Sequence, residues 1–182
     1  LNGAGVVLAG AIPASAELAE RLDAPVCCNY QHNDAFPGSH PLACGPLGYN
    51  GSKAAMELIA KADVVLALGT RLNPFSTLPG YGIDYWPKDA KLIQVDINAD
   101  RIGLTKRVDV GIQGDAKLVA EQILARLTPS AGDDGRDART ALVAETKSRW
   151  SQQLTSMDHE DDDPGTNWNE RARDREPSRM SP

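Results

Sequence analysis

The residues best suited to chemistry follow a short apolar run in the middle of the chain. Residues 64–68 are an unbroken apolar stretch, β-branched at its start, and it stops at Gly69, Thr70 and Arg71. A run of this length predicts a parallel strand that is buried on both faces. Ligands of open α/β sheets collect beyond the carboxyl ends of such strands, so a phosphate or carboxylate would meet these three residues. The alternative is that Gly69 only closes a turn.

A second glycine turn opens the chain, where the first two residues run into Gly3 and Gly5. We interpret residues 1–2 as the end of a strand, and we therefore expect the chain to be a fragment of a longer polypeptide. A helix predicted over residues 13–22 follows the turn, because proline suits a first helical turn. Strand, glycine turn and helix together form an arrangement that binds phosphate.

The dinucleotide fingerprint is nevertheless incomplete in this turn. Its third glycine is replaced by Leu8, and the acidic residue expected at the end of the next strand is replaced by Asn29. Both positions contribute to cofactor binding in that motif. Ordinary NAD binding is therefore not expected.

Two long loops, residues 29–50 and 73–90, contain many of the polar side chains of the body. The first holds three prolines, three glycines and both His32 and His40. Loops of this length inside a compact domain are commonly functional or face a partner. For either histidine we favour a hydrogen-bonding role in the loop over catalysis, because no nucleophile or carboxylate partner can be identified.

The order of apolar runs and turns predicts the fold class. Strands are expected at 1–2, 24–28, 42–44, 64–68, 91–96 and 108–112, and helices at 13–22, 52–60, 100–104 and 116–127. This alternation predicts an α/β fold with a doubly wound, Rossmann-like parallel sheet of about six strands and helices on both faces.

Composition divides the chain into a body and a tail. Residues 1–128 carry 11 basic and 13 acidic residues and form the predicted domain, whereas residues 129–182 carry 8 and 12. We expect a linker at 129–138, a connecting helix at 139–157 and an acidic, polar connector at 158–182, where residues 158–163 place five acids in six positions. Such an acidic block is most simply solvated.

Charge, hydropathy and cysteine content exclude several classes of function. The net charge is −6 with no basic stripe, which argues against nucleic acid as a partner. No apolar run approaches the roughly 20 residues of a membrane span. Cys27, Cys28 and Cys44 form no C-x-x-C pair, so we expect free thiols in a reducing cytoplasm and no zinc.

Several segments of the body resemble one known superfamily as an ordered set. They are NGAG at 2–5, FPGSHPL at 36–42, GPLGYNGS at 45–52, ADVVLALGTRL at 62–72 and VDIN at 95–98, with GD at 114–115. The chain resembles the central domain of thiamine-diphosphate enzymes of the acetolactate synthase superfamily. The segment at 27–42 and the tail from residue 156 are similar to a branch of acetyl-transferring enzymes within it.

This resemblance implies a cytoplasmic enzyme of three α/β domains that assembles as dimers or tetramers. It implies thiamine diphosphate and Mg²⁺ as cofactors, bound by the amino- and carboxyl-terminal domains that flank this one. The chain itself is then expected to be non-catalytic. The sequence GDDG at 132–135 is superficially similar to a metal motif, but no strand precedes it and we interpret it as a turn.

The resemblance also implies a nucleotide cleft, because relatives that contain FAD hold it in this domain. The matching positions are Gly3, Gly5, Asn50, Gly51, Ser52, Gly69, Thr70, Arg71, Asp96 and Ile97. Arg71 would contact a diphosphate and Asp96 a ribose hydroxyl. The alternatives are a vestigial cleft, a site for an ADP-type regulator, or residues that only close turns. Gln31, His32 and Asn73 are expected to face the substrate of the complete enzyme, since their loops leave the carboxyl ends of the sheet.

Overall fold

The computed structural model describes residues 1–128 and 135–160, the last four as backbone only. Five strands are present in these residues: β1 Val26–Cys28, β2 Ala43–Pro46, β3 Val64–Leu68, β4 Lys91–Asp96 and β5 Val110–Gln113. β1 pairs with β2, and β3 with β4 and β4 with β5, all parallel. The predicted α/β class with a parallel sheet is therefore confirmed.

Asn2 joins the two groups of strands. It forms parallel bridges to Cys28 at the end of β1 and to Leu68 at the end of β3. Its N–H donates to the carbonyl oxygen of Cys27 at 2.9 Å, and its own carbonyl accepts from the N–H of Asn29 at 2.9 Å. The expected count of about six strands is not confirmed, because the first strand position is held by this one residue.

Helices cover both faces of the sheet. On one face α1 Ala4–Leu8, α2 Ile12–Leu22 and α4 Ala116–Leu124 enclose a core that contains Val6, Leu18, Leu68, Val95 and Ala120. On the other face α3 Lys53–Ile59 and the start of α5 Arg136–Glu160 enclose a core that contains Met56, Ile59, Val65, Tyr85 and Val143. The prediction that β3 is buried on both faces is wrong at its amino end, where Val64 is 50% exposed.

Side-chain caps explain where two of these helices begin. The Ser52 hydroxyl accepts from the N–H of Ala55 at 3.2 Å, which starts α3. Asp115 Oδ1 accepts from the N–H groups of Lys117 and Leu118 at 2.9 and 3.1 Å, which starts α4. A cap of this kind stabilises a helix by about 1 kcal/mol.

Local elements differ from the sequence predictions in three main places, besides shifts of up to three residues at the ends of other elements, such as α5, which spans Arg136–Glu160 where a helix was expected at 139–157. The first glycine turn continues into the short helix α1, which the sequence did not predict. The helix expected over 100–104 is only the 3₁₀ turn Ala99–Arg101, because Asn98 caps it and Gly103, at φ +77°, turns the chain away. The last strand begins two residues later than expected, at Val110.

The chain divides into two compact units, Leu1–Lys147 and Ser148–Pro182. The first unit therefore takes in the start of α5, where Val143 is 4% and Thr146 2% exposed. Lys147 Nζ donates to the carbonyl oxygen of Pro41 at 3.0 Å, and the Thr140 hydroxyl hydrogen-bonds the Asp23 carboxylate.

The domain boundaries predicted from the sequence remain predictions. Most of the acidic connector, and residues 132–134 of the GDDG turn, lie outside the described residues.

In residues 1–128 and 135–160 no helix is long and apolar enough to cross a membrane.

Candidate functional site

A cleft of about 520 Å³ lies beyond the carboxyl ends of β3 and β4. α1 borders it on one side and the start of α4 on another. Of the residues singled out from the sequence, it is lined by Gly5, Gln31, His32, Gly69, Thr70, Arg71, Asn73, Asp96 and Ile97. The cleft therefore gathers residues from positions 5 to 97 that are far apart in the chain.

Two glycine backbones form the floor of the cleft. The N–H of Gly5 donates to the carbonyl oxygen of Gly69 at 2.9 Å. A Cβ built on Gly5 would lie 2.7 Å from the Cα of Gly69, and one on Gly69 would lie 2.7 Å from the Cα of Gly5. Gly69 also has φ +59°, which side chains disfavour. Both glycines are therefore required for the turn after β3 to reach α1.

Asn29 and Thr70 line the cleft beside these glycines, and their side chains are hydrogen-bonded to each other. Asn29 Nδ2 donates to Thr70 Oγ1 at 2.8 Å, and Thr70 Oγ1 donates to Asn29 Oδ1 at 3.1 Å. The same hydroxyl accepts from the N–H of Leu72 at 3.1 Å. Thr70 is 2% exposed. The Thr70 hydroxyl therefore forms its hydrogen bonds within the protein. Asn29 stands where the dinucleotide motif has its acidic residue, and its bonds to Thr70 join the end of β1 to the end of β3.

Gln94 fixes the two loops that carry the arginines of the cleft. Its Nε2 donates to the carbonyl oxygens of Thr70 at 3.0 Å and of Arg101 at 3.1 Å, and its Oε1 accepts from the N–H of Gly103 at 2.9 Å. The side chain is 1% exposed. Because a buried amide with satisfied partners is well ordered, Gln94 sets the distance between the loop after β3 and the loop after β4.

Two guanidinium groups, those of Arg71 and Arg101, line the cleft. Both side chains are exposed, and neither is in an ion pair within the described part of the chain. Guanidinium groups bind phosphates and carboxylates by paired, charge-assisted hydrogen bonds. These two residues are therefore the cationic groups on which an anionic ligand would depend.

Asp96 and Asp115 supply the negative charge of the cleft. Asp96 is 5% exposed, and its Oδ1 accepts from the N–H of Asn98 at 2.9 Å. Asp115 Oδ1 already accepts from the first N–H groups of α4. The amino end of that helix is thus capped by the protein's own carboxylate. Attraction for an anion must come from the arginines, because α1, the other helix at the cleft, has only five residues.

The loop residues expected to face a substrate also line this cleft. His32 Nδ1 lies 3.5 Å from the Asp34 carboxylate. Asn73 Oδ1 accepts from the N–H of Phe75 at 2.9 Å, which caps a 3₁₀ turn. The backbone N–H of Tyr30 donates to the Ser76 hydroxyl at 3.1 Å, and this contact joins the two loops.

Four of the expected cofactor-binding positions do not line the cleft. Gly3 is buried behind it, with the Thr70 Cβ 2.6 Å from where its own Cβ would stand. Asn50, Gly51 and Ser52 form the turn between β2 and α3. Whether any predicted position binds a cofactor remains a prediction.

His40 has a structural role in its loop. Its Nδ1 accepts from the N–H of Leu42 at 3.1 Å, and its Nε2 lies 3.0 Å from Glu20 Oε1. The ring packs edge-on against Phe36 with centroids 5.0 Å apart. This is the hydrogen-bonding role that the sequence favoured for this residue.

The three cysteines are buried free thiols. Burial raises the pKa of Cys28 to about 11, so this thiol stays protonated near neutral pH. Among the described residues, no three His, Cys, Asp or Glu side chains come together as a metal site.

Sequence reasoning missed three residues of the site. Gln94 had a visible signal, since it is the single amide in the otherwise apolar strand core LIQV at 92–95. Asp115 was noted only in the GD pair at 114–115, and nothing in the sequence placed it at the cleft. Arg101 carried no signal, because its position depends on the 3₁₀ turn that replaced the expected helix.

Comparison with known proteins identifies the family. Residues 1–123 match the family described as "Thiamine pyrophosphate enzyme, central domain". A sulfoacetaldehyde acetyltransferase of Roseovarius nubinhibens is 78% identical over 182 residues, which is all of this chain and 30% of that protein. A probable sulfoacetaldehyde acetyltransferase of Rhizobium meliloti is also 78% identical over the whole chain, which spans 31% of its length.

Structural similarity agrees with the sequence match. A crystal structure of a putative thiamin diphosphate-dependent enzyme from Mycobacterium smegmatis has a TM-score of 0.56 and 26% identity, and the similarity covers 72% of this chain and 24% of that one. The chain thus spans about a third of the length of the curated acetyltransferases that it matches in full. It belongs to the family of thiamine pyrophosphate enzyme central domains.

Proposed function

We propose that this chain is the central, non-catalytic structural domain of a thiamine-diphosphate-dependent sulfoacetaldehyde acetyltransferase. The observation that carries the proposal is the 78% identity to such an enzyme over all 182 residues, tail included. A tail of this composition is not dictated by a fold, so its match favours the acetyltransferases over other members of the family. A protein of Methanocaldococcus jannaschii described as a "Probable acetolactate synthase large subunit" is 40% identical over 70% of the chain.

The proposed reaction converts sulfoacetaldehyde and phosphate to acetyl phosphate and sulfite, a step in the breakdown of sulfonates such as taurine. Thiamine diphosphate, when bound with Mg²⁺, supplies the electron sink that this acyl transfer needs. In the described part of this chain, no three His, Cys, Asp or Glu side chains come together as a metal site for that cofactor. We assign its binding to the flanking amino- and carboxyl-terminal domains of the same enzyme.

The role of this chain is then to hold the flanking domains apart and to present its loops to them. Gln31, His32 and Asn73 are our candidates for contact with the sulfonate. These three residues line the cleft on the loops that follow β1 and β3, and this position supports the proposal. A hydrogen bond from Tyr30 to the Ser76 hydroxyl joins the two loops. We also propose that the enzyme is a homodimer or tetramer. We place it in the cytoplasm, for which the three free thiols are the support.

The direct experiment measures turnover by the isolated chain. With thiamine diphosphate, Mg²⁺, sulfoacetaldehyde and phosphate, we expect no acetyl phosphate above the level without protein. Acetyl phosphate formed by the chain alone would contradict a non-catalytic role.

A second candidate function is binding of an ADP-type nucleotide, including the ADP part of FAD, in the cleft. The favouring observation is that two arginines without an ion pair in the described residues, one buried carboxylate and a bare glycine floor meet in about 520 Å³. Leu8 and Ile97 are 85% and 70% exposed at its rim and provide apolar surface for a ring. Arg71 and Arg101 would bind the diphosphate, and the free oxygen of Asp96 a ribose hydroxyl. The acyl transfer involves no redox step, so flavin is not required for it.

Calorimetry with ADP and FAD tests this second candidate. We expect ADP to bind with one site per chain, and AMP to bind more weakly because it lacks the second phosphate. No heat with either ADP or FAD would remove the nucleotide site and would leave the structural role untouched.

A further inference from the structure

A second pocket lies at the opposite end of the sheet from the cleft, at the amino ends of β3 and β4. Its volume is about 380 Å³, and it shares no lining residue with the cleft. Val64 pairs with Lys91 at this end, whereas Leu68 pairs with Val95 at the cleft end. Four strand steps, about 13 Å, therefore separate the two.

The walls of this pocket are apolar and its rim is cationic. Val65, Trp86, Pro87, Ala90 and Leu92 form the apolar part. The charged lining residues are the cations Lys88, Lys91, Lys106 and Arg107 and the carboxylates Asp89 and Asp109. This local excess of positive charge stands against a net charge of −6 for the whole chain.

Two of the four cations are already paired. Lys88 Nζ lies 3.0 Å from Asp84, and Lys91 Nζ lies 3.2 Å from Asp109 Oδ1. Asp109 also accepts from the backbone N–H of Leu92 at 2.9 Å. That hydrogen bond, with the bond from Lys91, lowers the pKa of Asp109, so its carboxylate stays ionised and keeps Lys91 in place.

Lys106 and Arg107 form no ion pair among the described residues, although the charge of Arg107 lies near enough to Asp109 to help lower the pKa of that carboxyl. Lys106 Nζ lies 4.9 Å from the centroid of the Trp86 ring. A cation–π contact of this kind holds the ammonium over the aromatic wall and leaves its N–H donors free for an anion. Asp89 is the one lining carboxylate without an ion pair in the described residues. Two cations and one carboxylate of the pocket are thus without an ion pair there, and their net charge of +1 favours an anion.

We propose that this pocket binds a small organic anion, a phosphate or sulfonate on a flat apolar group, through Lys106, Arg107 and Trp86. The anionic group accepts hydrogen bonds from the two cations, and the apolar group lies along the wall that Trp86, Pro87 and Leu92 form. A pocket of this size suits a small ligand. Its position leaves the cleft open, so both sites can be filled at once.

Isothermal titration of the 182-residue chain with phenyl phosphate and benzenesulfonate tests the proposal. We expect one site per chain for at least one of the two probes, and the ratio of their affinities identifies the preferred anion. The double substitution Lys106→Gln with Arg107→Gln should weaken binding at least tenfold, and Trp86→Leu should weaken it several-fold. Both cations lie on the surface loop 103–109, so the double variant should fold with an unchanged melting temperature.

Two control variants separate this pocket from the rest of the surface. Lys117→Gln removes a cation that is paired with Glu121 on α4, and Arg126→Gln removes a guanidinium that bonds the Gln122 carbonyl and lines neither pocket. Neither should change the affinity for the probe. The proposal is overturned if neither probe binds, if the double variant binds as tightly as the parent, or if benzyl alcohol or inorganic phosphate binds as tightly as the preferred probe.

Discussion

The backbones of Gly5 and Gly69 are in direct contact. The N–H of Gly5 donates to the Gly69 carbonyl oxygen at 2.9 Å, and neither residue has room for a Cβ. This contact seats the first helix on the end of the central strand and leaves an open floor between the arginines of the cleft. The two most conspicuous glycine turns of the sequence therefore form a single structural feature.

Substitution of Gly69 should be far more costly than substitution of another glycine with the same backbone conformation. Gly69 and Gly10 have φ of +59° and +62°, but a Cβ at Gly10 meets nothing within 4 Å. Gly10→Ala should lower the free energy of unfolding by about 1 kcal/mol, which is the cost of placing a residue with a side chain in the left-handed backbone conformation. Gly69→Ala should lower it by more than about 3 kcal/mol, because the methyl group meets backbone atoms that cannot move aside. Urea unfolding of both variants measures the difference, and equal losses would contradict the contact.

Gln94→Leu should destabilise the chain and disorder the cleft together. The substitution leaves the carbonyl oxygens of Thr70 and Arg101 and the N–H of Gly103 without their buried partner. A loss of about 2–4 kcal/mol in the free energy of unfolding is expected. The control Gln113→Leu removes an exposed amide whose contact with Ile97 is 3.5 Å, and it should cost less than about 0.5 kcal/mol. If both variants unfold at the same denaturant concentration, Gln94 does not clamp the loops.

Nucleotide affinity should depend on both arginines of the cleft. Arg71→Gln and Arg101→Gln should each weaken ADP binding at least tenfold, or about 1.4 kcal/mol, by removing a charge-assisted hydrogen bond to phosphate. Arg126→Gln is the matched control, since that guanidinium bonds the Gln122 carbonyl at the far end of α4. Calorimetric titration at two salt concentrations should also show weaker binding at the higher one. ADP binding that neither substitution changes would place the nucleotide elsewhere.

Stability should fall at alkaline pH through Tyr85. Its hydroxyl donates to the Ser76 carbonyl at 3.1 Å, and burial raises its pKa to about 12. Its pKa is near 10 in an unfolded chain, so the contribution of Tyr85 to stability is fully present below pH 10. Between about pH 10 and 12 the unfolded state ionises first, and about 2–3 kcal/mol is lost.

The variant Tyr85→Phe should flatten this alkaline loss, at a cost of about 1 kcal/mol at neutral pH for the hydrogen bond. A loss of similar size between about pH 9 and 11 should remain, because burial also raises the pKa of Cys28 to about 11. Denaturant unfolding at a series of pH values gives both curves. An unchanged alkaline loss in the variant would show that Tyr85 does not cause it.

Much of the fold was predictable from the sequence because local signals agreed with the tertiary structure. The apolar run before Gly69 predicted β3 and the proline near the start of α2 predicted that helix, each to within a residue. The family was predictable too, and its match over residues 1–123 confirms it. The helix α1 was missed because five residues leave almost no periodic pattern.

The site was only partly predictable, because its geometry depends on contacts between distant loops. The positions of Gly69, Arg71 and Asp96 follow from their place at strand ends. The hydrogen bond between the Thr70 hydroxyl and Asn29, 41 residues earlier, does not follow from any position in the sequence. The packing of Val143 against the body was not predictable either, since the residues before α5 have the composition of a linker.

A chimera tests the central claim most directly. In the sulfoacetaldehyde acetyltransferase of Roseovarius nubinhibens, the matching 182 residues are replaced by this chain, and acetyl phosphate and sulfite are measured with thiamine diphosphate and Mg²⁺ present. If the chain is the central domain of such an enzyme, the chimera should form both products in equal amounts at a rate within about tenfold of the parent, or 1.4 kcal/mol. A folded chimera that forms neither product would contradict the assignment.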